Sequence, residues 1–254
     1  MIHIAVMNQS TVVTDDGVKS LLPPLQTQWN RDLAPVWNLE QMGMTFIAKG
    51  GAPDPADWWM VFLDDSNQAG ALAVHDLTNT GMPIAKVFCR TILGYSESIA
   101  VAASHELCEM GVDPEINLGA QAPNGRWWAM EVCDPCEDDR YAYDINGVLV
   151  SDFVTPNWFK PRAEVGKLFS FKGNVVREFD VLPGGYAQWF SSLHGWQQVL
   201  GHDASGSAVT AEVGSRRERR CRQFDGILRL SRCEFEALAP AQPLETVGIE
   251  AGTV

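Results

Sequence analysis

Apolar and polar positions change period several times along the chain, and each change marks an element. Residues 2–6 alternate and then meet Asn8-Gln9-Ser10, which predicts a first strand and its end. Asp15 or Asp16 can cap a helix over 17–29, with Pro23-Pro24 expected to break it. Met44-Thr45-Phe46-Ile47, within 39–48, reads as a strand, and Gly50-Gly51-Ala52-Pro53-Asp54-Pro55 as a loop. The unbroken apolar run Trp58-Trp59-Met60-Val61-Phe62-Leu63 is a third strand, closed by Asp64-Asp65-Ser66-Asn67. Short strands at 70–76 and 84–90 flank a turn at Asn79-Thr80-Gly81. Ser96-Glu97-Ser98 then opens a helix over 97–110, stopped by Gly111 and Asp113-Pro114. Further strands are expected at 127–133, 147–153, 167–171 and 175–179, with Pro183-Gly184-Gly185-Tyr186 as a tight turn. Strands first, one central helix, then short strands and irregular structure make an α+β pattern. Residues 1–200 form one expected domain, and 201–254, rich in small polar residues, charge and Pro, a polar extension with partial disorder.

Charge and composition narrow the function. The net charge of −13 repels phosphate backbones, so nucleic acid is not an expected partner. The basic cluster Arg216-Arg217-Glu218-Arg219-Arg220 reads as a solvated face. No apolar run reaches the roughly 18–20 residues that span a bilayer, so no membrane partner is expected. Residues 1–6 lack the charged and apolar regions of a secretory signal, which predicts a cytoplasmic or particle-associated protein. The six cysteines are then expected as free thiols. Cys133-Asp134-Pro135-Cys136 has zinc-knuckle spacing, but a four-cysteine site needs a second pair, and Cys221 and Cys233 lie twelve residues apart.

The chemistry concentrates on the predicted central helix, in Ser104-His105-Glu106-Leu107-Cys108-Glu109. Four residues apart, His105 and Glu109 project from one face and can close on one ion. Glu106, about 100° around the helix from His105, can face a water on that ion. In H-E-x-x-H enzymes two helix ligands hold zinc and the intervening Glu is the general base. Here the second His is replaced, giving H-E-x-x-E. An acidic group follows: Glu131, Asp134, Glu137, Asp138 and Asp139. Several carboxylates gathered without positive charge raise one another's pKa values, which argues for a cation among them. Zinc is the expected ion, with calcium or manganese as alternatives for a donor set rich in oxygen. Ser104 is not a hydrolase nucleophile, because no G-x-S-x-G elbow surrounds it. His75-Asp76 reads as a pair flanking a turn, or else as lining a cleft. Asp144-Ile145-Asn146-Gly147 reads as a hairpin turn rather than a calcium loop.

The string resembles the metal-binding helix of thermolysin-like zincins, where a Glu on a later element is the third ligand and a nearby acid orients the first His. By that resemblance Glu131 is the third ligand beside His105 and Glu109, and Asp134 acts behind them. Asp113, one turn beyond Glu109, is the competing ligand. From Ser104 to Cys136 the chain also resembles a zincin-like metallopeptidase family of bacteria and phages, with a more distant likeness to plant exordium (phosphate-induced) proteins. Ser104, His105, Glu106, Glu109, Asp113-Pro114, Trp127 or Trp128, Glu131-Val132 and Asp134 carry it. It implies a zincin-like fold, a mixed sheet with a central metal-binding helix. It also implies a metal-dependent hydrolase of the peptidase type, with Glu106 catalytic and a peptide or protein substrate; the strand at 84–88 is then expected to pair with an extended peptide, as sheet edges do. The rival expectation is an inactive zincin-like structural or binding protein, part of a phage-like particle or a homo-oligomer.

Overall fold

The computed structural model describes residues 1–66, 71–201 and 209–212, the last as backbone only. In chain order the first elements are β1 (Ile2–Asn8), α1 (Asp15–Thr27), a π-helical turn (Gln28–Leu33), α2 (Ala34–Trp37), β2 (Met42–Ile47) and β3 (Trp58–Leu63). Then come β4 (Ala73–Leu77), β5 (Pro83–Phe88), α3 (Cys89–Gly94), α4 (Ile99–Val112), β6 (Gly119–Gln121) and β7 (Trp127–Ala129). After two 3-10 turns follow β8 (Tyr143–Ile145), β9 (Val148–Val150), β10 (Tyr186–Ser191), β11 (Gly195–Leu200) and β12 (Val209–Glu212).

The first sheet runs β2-β1-β3-β5-β4, parallel except for β4, which returns antiparallel along β5. A parallel strand covered on both faces must be apolar throughout, and β3 meets that demand. Met60 and Phe62 pack toward the helices, while Trp59, Val61 and Leu63 form a smaller core on the opposite face. The strand expected to be the substrate-pairing edge, 84–88, is interior, between β3 and β4. Strand β4 pairs with β5 alone in this sheet and lies outermost.

Helix α4 begins where Ser98 Oγ accepts the N–H of Val101, and it runs to Val112. Almost every side chain from Val101 onward is buried, because sheet strands β4 and β5, helix α1 and strand β9 surround it. Gly111 does not stop the helix. It makes room for Trp29, since a Cβ there would lie 2.6 Å from two indole carbons. Helix α1 likewise continues through Pro23 and Pro24, and its cap is Thr14, whose Oγ1 accepts from Gly17 N–H.

The second sheet, β12-β11-β10-β7-β6, is antiparallel throughout. The segments 167–171 and 175–179 form no strand, only an isolated bridge between Val154 and Ser170. The hairpin at Asp144-Ile145-Asn146-Gly147 joins β8 to β9, with positive φ at both Asn146 and Gly147. Of the extension expected from 201 onward, only 201 and 209–212 are described, and the latter pair with β11; Arg216–Arg220 lie outside the described residues. No helix among the described residues is long and apolar enough to cross a membrane.

Candidate metal centre

Three elements bring chemistry to one buried point. His75 stands on β4 opposite Ala85, whose side chain belongs to the core facing the helices, so the imidazole points at α4. From α4 come His105, Glu106 and Glu109. The loop after β7 supplies Glu131 and Asp134. That loop is pinned on both sides: Val154 N–H bonds Val132 O at 2.7 Å, and Leu182 N–H bonds Pro135 O at 2.9 Å. Gly185 lies so close that a Cβ would sit 2.6 Å from Asp134 O, which only glycine allows.

Glu109 is the centre of the arrangement. Its Oε1 accepts the backbone N–H groups of Cys133 and Asp134 at 3.1 and 3.3 Å. The same oxygen lies 3.4 Å from His105 Nε2, and His105 Nε2 lies 3.3 Å from Asp134 Oδ1. On the other side, Glu109 Oε2 lies 3.6 Å from His75 Nδ1, and His75 Nε2 lies 3.6 Å from Glu131 Oε2. His75 Nδ1 is also 3.2 Å from Glu106 Oε2. Two groups result, His105–Glu109–Asp134 and His75–Glu109–Glu131, each with one ligand atom per residue within 4.8 Å of the others. All of these residues are buried.

The spacing is informative. A tetrahedral ion with bonds of about 2.0–2.1 Å holds its ligand atoms roughly 3.3–3.4 Å apart. The same distances lie at the long end of the range for hydrogen bonds. His75 Nε2 and both oxygens of Asp134 are buried without a hydrogen-bond partner, which is costly unless something else satisfies them. A cation fits that donor set.

The buried groups also shift one another's titration strongly. Burial, then the charge of Glu109, raises the Asp134 carboxyl well above its ordinary value, although His105 opposes this. Burial alone would lower the His105 pKa, but Glu109, Asp134 and Glu106 together hold it well above the usual imidazole range. Glu109, despite burial, is drawn down to about 2, chiefly by His105. Burial and the carboxylates of Glu109, Glu106 and Glu97 push Glu137 up to about 7, against the pull of His105. The Tyr186 phenol, buried and facing Asp134 and Glu137, is also pushed well up.

Of the residues expected in the site, His105 and Asp134 lie on one side of Glu109 and Glu131 on the other. Glu106 contacts His75. Asp113 belongs to neither group: its carboxylate accepts the N–H groups of Asn117 and Leu118 and shapes the turn after α4. The ligands therefore come from several separate elements, not from the central helix alone. His75 is the residue that sequence reasoning undervalued; its signal was a His-Asp pair inside a short strand, between Ala73-Val74 and Leu77. Cys89, Cys108, Cys133 and Cys136 are buried free thiols and join neither group.

Fold and site thus define an α+β protein with two buried His/carboxylate groups able to coordinate a metal ion. Compared with models of protein families, with curated proteins and with solved structures, the chain matches none.

Proposed function

We propose that this protein is a divalent-metal-dependent hydrolase of the zincin-like, peptidase type, acting on an extended peptide. The observation that carries the reading is the His105–Glu109–Asp134 group, spaced at 3.3 and 3.4 Å around a single imidazole nitrogen. Those three residues would hold the ion, with Asp134 taking the place that the family resemblance gives to Glu131. Zinc fits one imidazole and two carboxylates, as do manganese and, with added oxygens, calcium. The ion would supply Lewis acidity toward water and a substrate carbonyl.

Glu106 serves as general base. Its Oε2 accepts the Nδ1 proton of His75, and its other oxygen takes the proton from water and returns it to the leaving amine. Outermost strand β4 offers its backbone edge to an extended peptide next to His75.

The burial of every ligand favours a second reading, in which the ion stabilises an inactive scaffold that binds partners or assembles into a particle. Glu106→Gln separates the two. The hydrolase reading expects wild-type metal content and loss of at least 100-fold in peptide-library hydrolysis. Wild-type protein that binds metal but cleaves no peptide would establish the scaffold, and absence of bound metal would remove both.

A further inference from the structure

We infer that the centre holds two divalent ions, with Glu109 as the carboxylate bridging them. The inference rests on the metal-dependent reading above and extends it to the second group, His75–Glu109–Glu131. Three observations converge on it. Glu109 Oε1 faces His105 Nε2, its Oε2 lies 3.6 Å from the His75 ring at Nδ1, and one ligand atom each of His75, Glu109 and Glu131 falls within 4.8 Å of the others. A carboxylate can serve two ions in this way, because its charge is shared between both oxygens.

The second observation is the state of His75. His75 Nδ1 lies 3.2 Å from Glu106 Oε2, and in the tautomer that donates from Nδ1 to this carboxylate the lone pair sits on Nε2. A histidine that binds metal through one nitrogen commonly donates the other N–H to a carboxylate, which fixes the tautomer. His75 Nε2 is buried, lacks a hydrogen-bond partner and lies 3.6 Å from Glu131 Oε2. That separation is too long for a hydrogen bond and close to the edge of a coordination polyhedron.

The third is charge. Glu106, Glu109, Glu131 and Asp134 place four carboxylates in one buried volume. Metal binding requires neutral imidazoles and ionised carboxylates; in that state one divalent ion would leave two negative charges uncompensated, whereas two ions would balance all four. Buried charge without compensation is expensive, so the protein's own donor set favours the second ion. Two ions held by these residues would polarise an attacking water and the substrate carbonyl together, and Glu106, 3.2 Å from His75 and adjacent in sequence to His105, would be placed to take the proton from that water.

The test strips the full-length protein with chelator and titrates it with zinc, counting ions per chain by elemental analysis. Manganese replaces zinc for electron paramagnetic resonance. The expected result is two ions per chain and an exchange-coupled manganese spectrum. His75→Ala and Glu131→Gln should each retain one ion and show the six-line spectrum of isolated manganese. The wild-type count needs no variant, so misfolding of either variant leaves the test intact. One ion per chain in the wild type overturns the inference while the hydrolase reading stands. Two ions that His75→Ala does not disturb also overturn it, placing the second ion elsewhere. No ion at all removes the inference together with the reading beneath it.

Discussion

Replacing Asp113 by Ala separates ligand from scaffold within the acidic motif. Asp113 is fully buried. Its Oδ1 accepts Asn117 N–H at 2.9 Å and Leu118 N–H at 3.1 Å, and its Oδ2 lies 3.1 Å from the same Leu118 nitrogen. Hydrogen bonds to a charged acceptor contribute about 1.5–3 kcal/mol each. Two N–H groups lose that acceptor, but Leu118 is 46% exposed and its backbone can recover water. The net cost is therefore about 2–3 kcal/mol. For a chain of this size each kcal/mol moves Tm by about 2–4 °C, so the variant should melt about 4–12 °C lower. The assay is thermal denaturation followed by circular dichroism, run beside elemental analysis of the same samples. Metal content should match the wild type. Loss of an ion from Asp113→Ala, with Tm lowered by less than about 2 °C, would refute the argument and make Asp113 a ligand.

Two further changes probe the scaffold around the centre. Gly111→Ala should lower the urea midpoint: the helix gains up to about 1 kcal/mol in propensity, but the new Cβ meets the Trp29 ring at 2.6 Å, and overpacking costs about 1–3 kcal/mol. An unchanged midpoint would show that the indole yields. Asp64 carries a pH dependence: burial pushes its pKa up, but hydrogen bonds from Ser10 and Thr11 and the charge of Arg90 take it down from 3.8 to about 2. Because the folded value is depressed, its stabilisation is present above about pH 4 and is lost as pH falls toward 2. Partial exposure and solvent screening reduce this to about 1 kcal/mol. Asp64→Asn should flatten the acid limb of stability between pH 4 and 2, measured by urea unfolding across that range, and an equally steep limb would count against it.

The local parts of the fold were legible. Ser96-Glu97-Ser98 before an apolar run predicts a helix from about 97, close to the start of α4 after Ser98, and the run 58–63 predicts a strand, as β3 is. What periodicity does not encode is strand order. Residues 84–88 have the pattern of an edge or an interior strand equally, and only the antiparallel return of β4 decides. That return also brings His75 over α4, which is why a histidine read as a turn neighbour becomes part of the site. Segments 167–171 and 175–179 misled for another reason. Their aromatics fill the core rather than a ladder: Phe171 stacks on Phe153 with centroids 5.1 Å apart, and Phe179 stacks on Trp128 at 5.2 Å. In 186–191 the burial of Gln188 beside Ala187 and Trp189 hides the alternation of β10.

The glutamate at 109, where H-E-x-x-H enzymes carry histidine, follows from the surroundings of that position. Its Oε1 takes two backbone N–H groups from the loop at 133–134 while facing His105. An imidazole nitrogen that accepted a hydrogen bond from that loop would spend the lone pair needed for an ion, and its ring partner would point away. A carboxylate can anchor the loop through Oε1 and still keep Oε2 for an ion. Position 109 therefore couples helix, loop and both ligand groups through one side chain. The loop anchored there is the one that delivers Asp134, so a histidine at 109 would supply a helix ligand while releasing the backbone that positions the next one.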